Sequence, residues 1–388
     1  SCRHLSVQHH FPLSSRLRRS LVISSASLLA TAFGVPGTAG AETAGSETGL
    51  EFTGVIIGTF QAVPRGKVAG ESVKGEPSGA LDLSLTVPAA GGAFEIEVKG
   101  GTTPRHHGVS EVLPEANGAV GESLDSDGHG RVVAWQLFYR HEVGPGSLAV
   151  GLIDPTGWLD VNDVADDEFT QFLGTSFVNN LTIDFPSATT GIAYNVGLAQ
   201  GFRLTALAAN ATGIEPDYAQ TFELGKHGNG VFGALELQWT GSNLVANLGG
   251  WVNTRHHDSD GDGIDDDRLK NAPARGVYGN LEGGLGAGQW NLRLGWADAS
   301  VQPAAGFVAL AYTYPIGQTV LGAGVARTFA SNRIDAPHKD LTQVEAYASI
   351  PLGKGFTVSP DLQYIEHSDF DPAQHGDLVA GLRAGWSF

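Results

Sequence analysis

The feature that most constrains this chain is the regular alternation of tight and long connections along it. Pro88–Gly92, Val143–Gly146, Gly197–Gln200, Thr240–Ser242, Gly286–Gly288, Pro315–Gly317 and Pro351–Gly355 are tight and rich in turn residues. Between them run Val63–Gly79, Gly100–Gly130, Asp154–Ala188, Asn210–Gly230, Thr254–Arg275 and three shorter loops towards the C-terminus. The segments that they join alternate apolar and polar residues, as half-buried strands do. In Ala80–Val87, for example, Leu81, Leu83, Leu85 and Val87 oppose Asp82, Ser84 and Thr86. About sixteen such segments are present, near the roughly 9–11 residues of a tilted membrane strand. Short turns at one end and long loops at the other, with an even strand count, describe an up-and-down sheet closed on itself in an outer membrane. The expected fold is all-β: a 16-stranded antiparallel transmembrane β-barrel with a short helix in one long loop.

Asp377–Phe388 fits the closing strand of such a ring. Leu378, Ala380, Leu382, Ala384, Trp386 and Phe388 share one face, and Asp377, Gly381, Arg383, Gly385 and Ser387 the other. An open apolar edge of this kind invites aggregation, whereas a closed barrel pairs the edge and turns its apolar face to lipid. Past the N-terminus no apolar run approaches the about 18–20 residues of a spanning helix. Trp135, Tyr139, Trp239, Trp251, Trp290, Trp296, Tyr312, Tyr314 and Trp386 lie near strand ends, where aromatic girdles meet the membrane–water boundary.

The N-terminus has the layout of a secretion signal. Arg16, Arg18 and Arg19 precede an apolar, small-residue stretch at Leu21–Val35, and Ala39-Gly40-Ala41 fits a cleavage site. The expected division is a leader, 1–41, and a barrel domain, 42–388, delivered to the bacterial outer membrane with both termini in the periplasm. Cys2, the one cysteine, would leave with the leader, so the mature chain is expected to hold no disulfide. Four of the 23 basic residues leave too, and 19 against 41 acidic residues give a net charge of −22. That balance disfavours nucleic acid as a partner.

The longest connection, Asp154–Ala188, changes period. Val161, Val164, Ala165, Phe169, Phe172 and Leu173 recur at helical spacing, Asp160 or Asn162 can cap the start, and Gly174 can end it. An amphipathic helix over 161–173 is expected, folded into the lumen with its acids facing the channel. A loop of this length needs a reason.

Two stretches carry a family resemblance. Val150-Gly151-Leu152-Ile153-Asp154, Asp160-Val161-Asn162, Phe172-Leu173, Phe177-Val178-Asn179-Asn180 and Pro186 resemble the carbohydrate-selective porins of the OprB type. So do Val344-Glu345-Ala346-Tyr347, Ser359-Pro360-Asp361-Leu362-Gln363-Tyr364-Ile365, Gly381-Leu382-Arg383 and Phe388. The chain departs from the pattern at Ser349-Ile350 and at His367-Ser368. The resemblance implies a sixteen-stranded outer-membrane channel for small sugars. A sugar channel needs paired hydrogen-bond groups and aromatic faces for the ring, yet must bind weakly enough to release. Alternation directs Glu95, Arg140, Arg203, Arg293, Glu345, Asp361 and Arg383 inward, and the long loop adds Asp154, Trp158, Asp160 and Asp163. These are the candidate pore-lining and substrate residues. Outer-membrane lipid, the barrel assembly machinery acting through the last strand, and a homotrimer complete the expected partners.

Asp258-Ser259-Asp260-Gly261-Asp262-Gly263-Ile264-Asp265-Asp266 has the start of a calcium loop. Asp258, Asp260, Asp262, the Ile264 carbonyl and Asp266 would be the ligands, but Leu269 stands where the bidentate Glu belongs. A structural Ca²⁺ and a merely solvated acidic loop both remain open. Asp125-Ser126-Asp127-Gly128 is a shorter echo. No cofactor is required, and no phosphate loop or nucleophile elbow is present. Beside the sugar channel stand a general porin or one preferring anions through Arg140, Arg203, Arg293 and Arg383, and, further off, a barrel enzyme or an adhesin.

Overall fold

The computed structural model describes residues 49–388 except 122, 126, 216–217, 224–229, 256–272 and 334–338. The expected leader and the acidic run from Asp258 to Asp266 lie outside the described residues. Sixteen strands form one closed antiparallel barrel. They are β1 (Glu51–Ala62), β2 (Glu76–Ala89), β3 (Gly92–Gly101), β4 (Val132–Val143), β5 (Gly146–Ile153), β6 (Thr189–Gly197), β7 (Phe202–Asn210) and β8 (Val231–Thr240). Then follow β9 (Leu244–Asn253), β10 (Ala274–Leu285), β11 (Gly288–Ala297), β12 (Ala304–Ile316), β13 (Thr319–Ala330), β14 (Leu341–Gly353), β15 (Phe356–Glu366) and β16 (Asp377–Ser387). Each strand pairs with its neighbour in sequence, and β1 pairs with β16 from Val55 opposite Ser387 to Ala62 opposite Ala380. The seam is finished by Gly54 and Phe388, which exchange two backbone hydrogen bonds of 3.0 Å. The Phe388 ring lies 4.5 Å from Trp386 and 5.7 Å from Phe52. No helix of the described residues is long and apolar enough to cross a membrane.

Alternation decides the two faces. On β9, Leu248 is 68% exposed and points out, while its neighbour Asn247 is 6% exposed and points in. Most outward side chains are apolar and many are large, as a lipid-facing band requires. The inward ones are mostly polar yet buried, so something fills the lumen. One departure from strict alternation matters for what fills it. On β4, Gln136 pairs with Glu97 and Ala134 with Val98, so Trp135 is the extra residue of a bulge. The bulge turns both Trp135 and Gln136 to the inside, where both are buried.

Inside the wall, aromatic rings lie across glycines on the neighbouring strand. Tyr278 faces Gly249, Trp251 faces Gly276 and Tyr347 faces Gly322 directly in register. A Cβ at Gly322 would sit 2.1 Å from the Tyr347 ring. Gly322→Val is therefore expected to displace Tyr347 and cost about 1–3 kcal/mol, as overpacking does. A lower midpoint for heat-induced loss of the compact form in gel electrophoresis would show it; an unchanged midpoint would mean that the ring has another resting place.

Candidate functional site

The lumen is occupied by the long connection between β5 and β6, residues 154–188. It begins at Asp154, whose backbone N–H donates to Gln136 Oε1 (2.9 Å). The Asp154 carboxylate accepts from Trp135 Nε1 (2.6 Å) and from the N–H and hydroxyl of Thr156. It thereby caps a single 3₁₀ turn, Pro155–Gly157, which delivers Trp158 edge-on to Phe138 of β4 with ring centres 6.0 Å apart. Lys99 sits under the same corner, its ammonium 5.4 Å from the Trp135 ring, 3.5 Å from Glu97 and 4.0 Å from Asp82.

From Asp160 on, the loop hangs from the wall by its backbone. The N–H of Asp160 donates to Glu236 (2.7 Å) and that of Asp163 to Glu282 (2.8 Å). Glu345 accepts both Leu173 N–H (2.6 Å) and Gly174 N–H (2.8 Å). A Cβ at Gly174 would meet Gln343 at 2.3 Å, so only glycine lets the chain come this close. The carbonyls are taken in turn by wall cations and amides. Arg293 donates to Phe177 O (2.7 Å) and Asp160 O (3.1 Å), and Arg383 to Glu168 O (2.7 Å) and Gln171 O (2.8 Å). Asn280 reaches Asp160 O and Asn247 reaches Val161 O. Below the polar contacts, Val164, Ala165, Phe172, Phe177 and Leu181 pack on Phe307, Ala309, Ala311, Ala326 and Tyr347.

These contacts correct the expected helix. Residues 161–173 form turns, not an amphipathic helix, and the helical turn present is Thr175–Val178. The apolar period is real: Val164, Ala165, Phe169, Phe172 and Leu173 are buried and Val161 is partly so. Apart from Gln171 N–H, which donates to Asp167 O (2.9 Å), several donors and acceptors that a helix would use internally go to the wall or to local side chains instead. Asn162 Oδ1 accepts from Val164 N–H and Ala165 N–H, and Asp167 Oδ1 accepts from Phe169 N–H. Asn and Asp compete with helix in this way. Asp160 takes the left-handed conformation, φ 60°, which a helix interior excludes.

The candidate residues divide into two groups. Asp154, Asp160, Arg293, Glu345, Asp361 and Arg383 all lie on the lumen side or on the loop, but each is below 10% exposed because the loop covers or contains it. Glu95, Arg140, Trp158, Asp163 and Arg203 keep accessible surface. Arg140 Nη2 donates to Glu95 Oε1 (2.6 Å), and in register Glu95 stands opposite Phe138, the ring against which Trp158 packs. Glu282, Gln343, Asn280 and Asn247 were absent from the candidate set although they carry the loop. Their inward parity was readable, since Glu282 shares a face with Tyr278 and Asn280. The five acidic-loop candidates, Asp258, Asp260, Asp262, Ile264 and Asp266, fall outside the described residues. In the shorter echo, Asp125, Asp127 and His129 bring ligand atoms close together on an exposed loop. The His129 N–H, then the Asp127 N–H, hold the Asp125 carboxyl below its ordinary range.

A closed membrane barrel with an apolar outside, a polar inside and a long loop docked in the lumen defines a porin, an outer-membrane channel protein. The family model described as "Carbohydrate-selective porin, OprB family" matches residues 93–388. The chain belongs to that family. The high-pH structure of Pseudomonas putida OprB superposes with a TM-score of 0.71 at 16% identity, covering 88% of this chain and 94% of that one. A triple mutant of the Rhodopseudomonas blastica porin superposes with a TM-score of 0.51 at 15% identity, covering 87% and 100%. Both likenesses concern the fold alone. An uncharacterized protein of Aquifex aeolicus (strain VF5) is 32% identical over 92 residues, 24% of this chain. That match spans 30% of the relative's own length.

Two measurements probe the docking. Arg293 lies 3.3 Å from Asp160 and 2.6 Å from Asp166 while holding two loop carbonyls. Removing one partner of a buried ion pair costs about 3–5 kcal/mol. Arg293→Ala is expected to raise single-channel conductance and current noise as the loop loosens, and steady parental currents would refute that role.

Burial raises the Asp160 carboxyl from 3.8 to about 6 despite the pull of Arg293, and burial raises Asp166 as well. The folded state thus holds the Asp160 proton more tightly than the unfolded chain. Its contribution is full below 3.8 and is lost as the pH rises through about 6. Asp160→Asn, which tolerates the left-handed turn, should flatten this dependence. Its thermal midpoint should exceed the parent's near pH 7, with the gap closing towards pH ~5; parallel profiles would contradict the assignment.

Proposed function

We propose that the chain is a water-filled channel for passive diffusion of small sugars, in which Trp158, Phe138 and the Arg140–Glu95 pair form the surface that a sugar meets beside the docked loop. Membership of the carbohydrate-selective family supports this reading. The observation that carries it is the placement of accessible groups. An aromatic edge and face stand next to a paired donor and acceptor, which suits the apolar and hydroxyl sides of a pyranose. None of these contacts is deep, as fast release requires.

Burial weighs against an anion-preferring pore. Of the four arginines that could form a positive strip, Arg293 and Arg383 are 1% and 2% exposed and bonded to loop carbonyls, Arg140 is paired with Glu95, and Arg203 keeps accessible surface. Accessible acids remain at Asp163 and, in part, at Asp166, Asp167 and Glu282.

Swelling of liposomes carrying the purified protein tests the reading. Monosaccharides should enter faster than size-matched neutral non-sugars. Trp158→Ala should reduce that preference by roughly two- to fivefold, the equivalent of about 0.5–1 kcal/mol of ring contact. Entry ordered by size alone, with no effect of Trp158→Ala, would reduce the protein to a general porin.

A further inference from the structure

A second segment enters the lumen besides the long loop. Between β3 and β4 the chain forms a helical turn at Val109–Val112, a 3₁₀ turn at Pro114–Ala116 and another helical turn at Gly118–Gly121. Val109, Leu113, Ala116 and Ala119 are at most 2% exposed. The first three share the apolar cluster of Phe172, Phe177 and Tyr347, and Ala119 packs with Phe169. The segment is held as the long loop is, by inward amides. Gln61 of β1 and Gln363 of β15 donate to Ala116 O (2.8 and 2.9 Å), and Gln343 of β14 donates to Glu115 O (2.9 Å). The two inward segments also meet directly, Gly118 N–H donating to Leu173 O (2.8 Å). Gln343 serves both, since its Oε1 accepts from Ser176 N–H (3.3 Å).

Glu115 ties this segment to a third element. Its side chain is 1% exposed, and its carboxylate accepts from the Ser368 hydroxyl and from Asp369 N–H (2.8 Å) in the connection between β15 and β16. That connection is strained. His367, Asp369 and Phe370 all have left-handed φ, 57°, 52° and 57°, with no glycine among them. Non-glycine residues hold this conformation only when their surroundings over-determine it. Here a buried carboxylate and Gln374, whose Oε1 accepts from Ser368 N–H (2.9 Å), supply the determination.

We propose that residues 109–121 are a second wall of the constriction, and that Glu115 is the positioning residue that sets the aperture by latching this wall to the strained 367–370 connection. The size limit of the channel then belongs to two loops fixed against each other. The inference rests on the chain being a diffusion channel, though not on its preferring sugars.

The test uses the full mature chain in planar bilayers and liposomes, with a graded series of poly(ethylene glycol)s as size probes. Glu115→Ala and Ser368→Ala are expected to raise unit conductance and to admit larger polymers, with severalfold faster entry of a disaccharide relative to a monosaccharide. Glu115→Gln, which can still accept from Asp369 N–H and donate to Ser368 Oγ, should stay close to the parent; a residue that merely stabilised the barrel would not separate these variants in pore size. Heat-modifiable mobility in gels confirms a folded barrel for each. An unchanged or lowered size limit in folded Glu115→Ala overturns the latch whatever the sugar preference proves to be. A parent that passes no ions overturns the channel reading and this inference together, while entry by size alone in the parent defeats the sugar preference and leaves the latch standing.

Discussion

A closed barrel satisfies its strands completely, so a chain inside its lumen must find backbone partners in its own turns, in a neighbouring segment or among the side chains of the wall. This requirement explains the choice of inward residues better than any need to contact a solute. A buried N–H or C=O without a partner costs about 1–3 kcal/mol, and the segment from Asp154 to Gly174 would otherwise strand many of them. Glu236, Glu282 and Glu345 accept its N–H groups, and Arg293, Arg383, Asn247 and Asn280 serve its carbonyls. Carboxylate to N–H and guanidinium to carbonyl are charge-assisted bonds, roughly twice as strong as neutral ones. The lumen wall therefore reads as a template for the loop as much as a lining for a pore.

The barrel was legible in the sequence because its signal is periodic and repeated. Alternation in each strand and parity in the connections agree with each other, and strand ends are off by only a few residues where the loops are themselves extended. The segment from Gly276, for instance, starts at Ala274, and that from Ala80 starts at Glu76. Side-chain direction followed from the same parity. The loop was legible only in half. Its apolar period marked the residues that become buried, yet Val161 to Leu173 is not helical, because helix propensity is a weak prior against a wall lined with strong acceptors. Glu115 gave no signal at all. It lies in an irregular segment, and its partner Ser368 is 253 residues away.

Position in the lumen also separates two roles that sequence alone merges. An inward arginine is the same letter whether water or a peptide carbonyl meets it. Arg140 and Arg293 differ because the loop covers one and leaves the other: the Arg140 side chain remains 49% exposed beside Glu95, whereas the Arg293 side chain is 2% exposed between Asp160 and Asp166. The bulge at Trp135 contributes to this division. It turns an indole inward to seat Asp154, and Asp154 then aims Trp158 towards Phe138. One inserted residue on β4 thus fixes where the loop starts and where its aromatic face ends up.

Rigidity and weak binding are compatible here because they are assigned to different residues. The bonds that hold the loop are buried and numerous, so the aperture does not depend on a solute being present. The groups left for a solute are few and wet, and Arg140 and Glu95 already satisfy each other before anything arrives. On the proposed reading, a sugar hydroxyl entering that pair would exchange one set of hydrogen bonds for another of similar strength, with small net gain. Shape would then be carried by the docked backbone, and residence would be kept short because Arg140 and Glu95 are already paired with each other.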